Sequence, residues 1–185
     1  GGVGIFYRRP RRGYTGAPLS PPESADPLRV QACIAGELAA RAAQRIGAEQ
    51  LAELAPLVDE MQLAAQFVLA DMGGLVGRFH ALLWRIADSP KLSWFLGIAV
   101  RYAPQHVAAA VPGWREMAAT DHEVLLSALR QRDPVGARTA MHEHVTRTGE
   151  LLIHHLQQLG LWSQPAESAS HQGVPHHTGN NGPGR

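Results

Sequence analysis

Residues 121–145 read DHEVLLSALRQRDPVGARTAMHEHV, and this stretch decides the fold class. It contains two runs rich in Ala, Leu and Arg whose apolar residues recur at three- and four-residue intervals, which is typical of amphipathic helices. Asp133 and Pro134 separate the two runs, because Asp is a good N-cap and Pro is tolerated in the first turn of a helix. The stretch therefore predicts two helices joined by a tight turn, with His122 on the first and His144 on the second.

The same helical pattern extends through the whole middle of the chain. Breaker residues fall between the periodic runs, as Gly47 does after the first of them. The predicted helices cover residues 27–46, 48–66, 71–87, a segment from Pro90 that Pro104 and Pro112 kink or divide, 114–131 and 133–159. The fold class is therefore expected to be all-α.

The two ends of the chain differ from this middle. Two β-prone runs, residues 5–8 and 14–17, flank a turn rich in Pro, Arg and Gly and predict a short β-hairpin. The last residues are rich in Ser, Pro, Gly, His and Asn and predict disorder. The expected divisions are a hairpin over 1–20, a linker over 21–27, a helical domain over 28–162 and a disordered tail over 163–185.

Composition limits the class of protein further. The chain has 185 residues, of which 45% are hydrophobic, enough for one buried core. The single cysteine, Cys33, excludes an intramolecular disulfide and fits the reducing cytoplasm, where we expect the protein to be. Uncharged stretches are shorter than the roughly 20 apolar residues that a bilayer span needs, so no membrane partner is expected.

Ten histidines are the unusual feature of the composition. Three of them, His80, His122 and His144, lie on separate predicted helices, each on a face that also carries core residues. Inward-facing histidines from different helices of a bundle can hold one ion, and three imidazoles with an open fourth position make a sensible Zn or Ni site. The alternative is that each is a hydrogen-bonded core or boundary histidine.

Two stretches carry a family resemblance. GRFHALLWRIADSPKLSWFL (residues 77–96) and residues 121–145 resemble, in order, the two signatures of the FCD effector domain of FadR-like regulators in the GntR family of bacterial transcription regulators. GELAARAAQR (36–45) resembles the first helix of that domain, and RRPRRGYTGAPLS (8–20) resembles the wing of the winged helix-turn-helix that precedes it. The resemblance implies an antiparallel bundle of six or seven helices that forms a homodimer.

The resemblance also implies a metal site. In the family pattern one divalent ion, here expected to be Zn or Ni, is held by three histidines, which carry over to His80, His122 and His144. It is held as well by an Asp one turn before the first of these, and that position is Val76, which cannot ligate. The site is therefore either a three-histidine site completed by effector or water, or a vestigial pocket.

The family's other partners are a small effector and DNA. A carboxylate-bearing metabolite would contact Arg101 and a pocket that includes Val76 and Trp84, although a surface ion pair and simple core packing are the alternatives for Arg101 and Trp84. DNA phosphates would contact four arginines of the predicted hairpin, which otherwise form a solvated charge run: Arg8, Arg9, Arg11 and Arg12. The remainder of the chain has 13 basic and 16 acidic residues and is not expected to bind DNA.

The expected function is effector sensing and dimerisation for a ligand-responsive transcription regulator that is not an enzyme, with no catalytic residues. One alternative is a three-histidine hydrolase or hydratase, but it lacks an H-E-x-x-H pattern, and Asp121 and Glu123 are expected to point away from the face of His122. The other alternative is a degenerate bundle that only dimerises, which the valine at position 76 keeps open.

Overall fold

The computed structural model describes residues 6–9, 13–16, 21–67, 71–101 and 110–160, with side chains from residue 26 onward. Six helices lie in this part of the chain, and they confirm the predicted all-helical domain. They are α1 Pro21–Arg45, α2 Ala48–Gln66, α3 Met72–Ala87, α4 Pro90–Val100, α5 Trp114–Arg130 and α6 Pro134–Gln158. Two strands precede them, β1 Phe6–Arg9 and β2 Gly13–Gly16, and pair antiparallel.

Three helix ends follow from aspartates at their caps. The side chain of Asp71 accepts a hydrogen bond from Gly74 N at 3.0 Å and begins α3, and Asp133 accepts one from Val135 N at 3.0 Å and begins α6. Asp88 takes a left-handed conformation, with φ of 46°, and ends α3. These three acids therefore serve as caps, and the exposed Asp71 is no substitute for the carboxylate absent at Val76.

The predicted linker over residues 21–27 is wrong, because α1 begins at Pro21, six residues before the expected start at Pro27. Pro21 and Pro22 occupy the first turn, where a missing N–H costs nothing. Pro27 lies inside the helix, where it removes one backbone hydrogen bond without ending it. The first-turn signal therefore belongs to Pro21 and Pro22, and not to Pro27.

Several expectations fall on residues outside the described part. The side chains of Arg8, Arg9, Arg11 and Arg12 are outside it, as are Pro104 and the predicted tail over 163–185. Within the described part, no helix combines the length and the apolar character needed to cross a membrane.

The core is built around α1, which packs most extensively against α6 and also contacts α3 and α4. α5 lies between α2 and α6, so more than one of its faces is covered. Two glycines let α1 and α6 approach closely. A Cβ at Gly36 would lie 3.0 Å from the backbone oxygen of Arg138, and a Cβ at Gly149 would lie 2.7 Å from Leu28 Cδ1. This close approach helps set the position of α6, which carries His144.

Replacing Gly36 with Leu is expected to lower the free energy of unfolding by about 1–3 kcal/mol, because the side chain would push against the backbone of α6. The matched variant is Gly77→Leu, at an exposed site inside α3 where an added Cβ meets nothing within 4 Å. That variant should be neutral or stabilising, by up to about 1 kcal/mol, because Leu is the better helix former. Denaturant unfolding measures both, and equal effects would contradict the close approach.

Candidate metal centre

Three histidines from three helices meet in the interior. His80 on α3, His122 on α5 and His144 on α6 each offer a ligand nitrogen, and these nitrogens all lie within 4.8 Å of one another. His122 and His144 are buried, with 1% and 5% of their surfaces exposed, and His80 is partly buried. The geometry thus brings together the three residues that the sequence singled out, and the cluster can hold a metal ion.

The closest pair has the spacing of two ligands on one ion. His80 Nε2 and His122 Nε2 are 3.2 Å apart. Two imidazole nitrogens about 2.0–2.1 Å from a tetrahedral Zn²⁺ would be separated by about 3.4 Å. His122 Nδ1 lies 2.7 Å from Ala118 O, and because a carbonyl only accepts, Nδ1 carries the proton and Nε2 keeps its lone pair for a ligand. This donor set and spacing fit a divalent metal.

An acidic residue supports the third histidine. Asp121 Oδ2 lies 3.1 Å from His144 Nδ1, and its other oxygen, Oδ1, accepts a hydrogen bond from Arg147 at 2.5 Å. Asp121 is buried, which corrects the expectation that it points away from the histidine cluster. Glu123, expected to do the same, is exposed and pairs with Arg130 at 3.6 Å.

Aromatic rings hold the imidazoles from the sides. The ring of Trp84 stacks on His80 at a centroid distance of 5.5 Å, and the ring of Phe79 meets His122 edge-on at 4.9 Å. His122 and His144 also meet edge-on, at 4.6 Å. These contacts restrict rotation of the rings, so the ligand nitrogens are held near one another before any ion binds.

Two of the three imidazoles are held in the neutral form that a metal ligand requires. Burial lowers the pKa of His80 to about 3, with a further contribution from His144. Burial also lowers the pKa of His122 well below its usual value, with His144 and His80 adding to the effect and the hydrogen bond to Ala118 O opposing it. Both imidazoles are therefore unprotonated at neutral pH.

These lowered pKa values predict that the metal-free protein loses stability as the pH falls. In the unfolded chain both histidines take up a proton below about pH 6.5, whereas the folded chain resists doing so until far lower pH. Stability is therefore full above pH 6.5 and declines between 6.5 and 5 by about 1 kcal/mol per pH unit for each histidine. Urea unfolding in EDTA measures this slope. In His80→Phe, which keeps a ring beside Trp84, the slope should be roughly halved; a flat profile in the parent would contradict the burial argument.

A small cavity of about 40 Å³ adjoins the cluster on the side of His80. Apart from His80 and Gln31, its walls are apolar, and they come from α1, α3, α4 and α6: Gln31, Ala35, His80, Trp84, Leu96, Val100, Met141 and Val145. Gln31 is fully buried and donates to Ala99 O of α4 at 3.0 Å. Of the residues of α4, only Leu96 and Ala99 are buried. This helix is therefore the most weakly anchored wall of the cavity among those the structure describes.

The predicted effector residues are distributed unevenly around this cavity. Trp84 lines it directly. Val76 is buried one turn before His80 on α3, outside the set of wall residues. Arg101 is exposed at the C-cap of α4 and also lies outside that set. The roles of Trp84, Val76 and Arg101 toward an effector stay predictions.

Comparison with known proteins gives one family match and shows similar folds among solved structures. The FCD domain family model matches residues 26–147, a range that includes all three histidines. Among solved structures, McbR/YncC from E. coli is similar with a TM-score of 0.63 and 20% identity, over 81% of this chain and 77% of that chain. GntR from Streptococcus agalactiae is similar with a TM-score of 0.57 and 18% identity, over 79% of this chain and 74% of that one. No curated protein sequence matches the chain.

Proposed function

The chain belongs to the FCD domain family, and from that membership we propose that it senses a small carboxylate-bearing metabolite through one divalent metal ion. The family places the chain among the effector domains of GntR-family transcription regulators, which are not enzymes. The metalloenzyme alternative is therefore set aside. Imidazole ligands suit Zn²⁺ and Ni²⁺.

The observation that carries the proposal is the convergence of His80, His122 and His144 with their ligand nitrogens within 4.8 Å. Three neutral imidazoles leave both positive charges of a divalent ion uncompensated. Asp121 does not change this balance, because Arg147 neutralises it. A site with this charge and an open coordination position favours an anionic oxygen ligand, and a carboxylate is the simplest one.

The cavity suggests how such a ligand would affect the whole domain. A volume of about 40 Å³ accepts a group not much larger than one or two waters, so a metabolite has to displace part of the wall. α4 is the wall with the fewest buried residues. A ligand that binds better when α4 is displaced would shift the population toward that state, and in a dimer this shift would change the spacing of two DNA-reading domains.

The remaining partners are proposed on the same family basis. A homodimer would form through the helical domain, and the regulator would act on DNA in the bacterial cytoplasm. The arginines of the N-terminal strands and turn would contact DNA phosphates: Arg8, Arg9, Arg11 and Arg12. Arg101 and Trp84 would contact the effector.

Metal content of the purified chain tests the proposal. We expect one Zn²⁺ or Ni²⁺ per protomer by elemental analysis, lost in each single variant: His80→Ala, His122→Ala and His144→Ala. His142→Ala is the matched control, because His142 is exposed on the same helix as His144. Metal retained in the triple variant would place the ion elsewhere, for example on the histidines of the last residues. A protein that never holds metal would contradict the proposal and favour the alternative of a bundle that only dimerises.

The link to DNA requires a second measurement. Gel shifts of the chain fused to a GntR-type winged helix-turn-helix, with and without a panel of di- and tricarboxylates, should show a DNA affinity that changes with at least one of them. A DNA affinity indifferent to every carboxylate that demonstrably binds would reject the sensing role.

A further inference from the structure

We infer that Asp121 is a positioning residue that fixes the tautomer and direction of His144, with Arg147 anchoring its second oxygen. The inference rests on the proposed function only for its effect on metal affinity. The hydrogen bonds of Asp121 to His144 and Arg147 are present without a metal. It concerns a residue that family resemblance does not mark and that sequence periodicity assigned to the surface.

Both oxygens of Asp121 are already used. Oδ2 accepts from His144 Nδ1 at 3.1 Å and Oδ1 accepts from Arg147 at 2.5 Å. The side chain of Asp121 is only 1% exposed, whereas that of Arg147 is 49% exposed and extends toward solvent. Asp121 is therefore not a fourth ligand that replaces the carboxylate missing at Val76. It instead bonds Nδ1 of His144, the nitrogen on the far side of the ring from the metal position.

The direction of this hydrogen bond decides which nitrogen of His144 can bind a metal. An ionised carboxylate only accepts hydrogen bonds, so Nδ1 of His144 must carry the proton. Nε2 then keeps its lone pair and is the nitrogen left for the cluster. His122 reaches the same state through a backbone carbonyl, so two of the three ligands have their tautomers set by the fold. Carboxylates behind metal-bound histidines commonly serve this purpose.

The burial of Asp121 also argues for a special role. Glu37 is a carboxylate that also bonds two side chains, Arg41 at 2.9 Å and Arg138 at 2.7 Å, but its own side chain is 36% exposed. A buried ion pair gains little stability over apolar packing, because its desolvation offsets the attraction. The Asp121 pair is thus poorly explained by stability alone, and the orientation of His144 supplies a reason for it.

Asp121→Asn tests the inference with almost no change in shape. The amide oxygen can still accept from Arg147, and the NH₂ group then faces His144. Nδ1 would have to accept, and the proton would move to Nε2, the nitrogen that should bind the metal. We expect Ni²⁺ affinity, measured by calorimetry on the full chain, to fall about 10- to 100-fold. Glu37→Gln is the matched control, because it removes a charge from two arginine contacts away from the histidines, and it should leave the affinity unchanged.

Nitrogen NMR of the imidazole rings gives a second, metal-free measurement. In the parent chain His144 should be in the Nδ1–H tautomer, and in Asp121→Asn it should be in the Nε2–H tautomer. An Nε2–H tautomer in the parent would overturn the inference even if the variant fails to fold. An Asp121→Asn protein that folds and binds Ni²⁺ with parental affinity would also overturn it. If the parent binds no metal, the proposed function fails, while the tautomers still decide the role of Asp121.

Discussion

Replacing Val76 with Asp should raise the Zn²⁺ affinity of the chain by about 100-fold and, at the same time, destabilise the metal-free protein. Val76 is buried one turn before His80 on α3, where the family pattern has its carboxylate ligand. A structural site of four ligands binds Zn²⁺ with about 10–16 kcal/mol, so one ligand is worth roughly 3 kcal/mol. Without metal the new carboxylate is buried without a partner, at a cost of about 3 kcal/mol. Calorimetry and denaturant unfolding, each with and without Zn²⁺, measure the two opposed effects.

Leu82→Asp is the control for this change. Leu82 is on the same helix and has the same 8% exposure as Val76, but it lies about 200° around the helix from His80, whereas Val76 lies about 40° from it. The control should destabilise the protein to a similar extent and gain no Zn²⁺ affinity. If Val76→Asp behaves like Leu82→Asp in the presence of Zn²⁺, the histidine cluster does not have its open position on the side of Val76.

Helix boundaries were predictable where one residue type decides them. Asp133 with Pro134 begins α6, and Gly47 lies between α1 and α2, as the sequence indicates. The start of α1 was not predictable in the same way, because Pro21 and Pro27 both suit a first turn and only the packed structure selects between them. A local sequence signal thus predicts that a helix begins nearby, but it does not decide between two prolines that suit the first turn equally well.

The three histidines could be chosen from the sequence, but their convergence could not. Periodicity places each ring on a buried face, whereas the distance between rings depends on how the helices are offset and crossed. Close contacts between helices, such as that of Gly36 with α6, help set the offset and the crossing angle. The helical pattern of the sequence does not distinguish Gly36 from the exposed Gly77.

The burial of Asp121 could not be predicted by assuming that its helix has a single buried face. It lies about 100° around α5 from His122, so a helix with a single buried face would turn it to solvent. α5 contacts both α2 and α6, and the second contact buries Asp121 against His144 and Arg147. The spacing of His144 and Arg147, three residues apart on one face of α6, was the signal that could have located this carboxylate.

Among the three histidines that would hold a metal ion, His80 is held least tightly. His122 and His144 donate from Nδ1 to a carbonyl and a carboxylate, whereas the hydrogen bond found for His80 in the described part of the chain joins its Nε2 to His122 Nε2. In the metal-free protein that bond needs a proton on Nε2 of His80, because His122 Nε2 carries the lone pair. His80 must therefore change tautomer to bind an ion, and it is also the ligand that lines the cavity. The metal and an effector would thus act on the same side chain.

A carboxylate effector and an aspartate at position 76 should compete for one coordination position. We expect metal-loaded parent protein to bind malonate or citrate, measured by calorimetry, and metal-loaded Val76→Asp to bind the same probes at least about 10-fold more weakly. The new side chain would fill the open coordination position. Its negative charge would also offset one of the two positive charges of the ion, which weakens the attraction for a carboxylate about 4 Å away by about 4 kcal/mol at an effective dielectric constant of about 20. Metal-free parent protein should bind neither probe. Equal carboxylate affinity with and without metal would mean that the effector is recognised by the protein walls, with Arg101 as the first residue to replace.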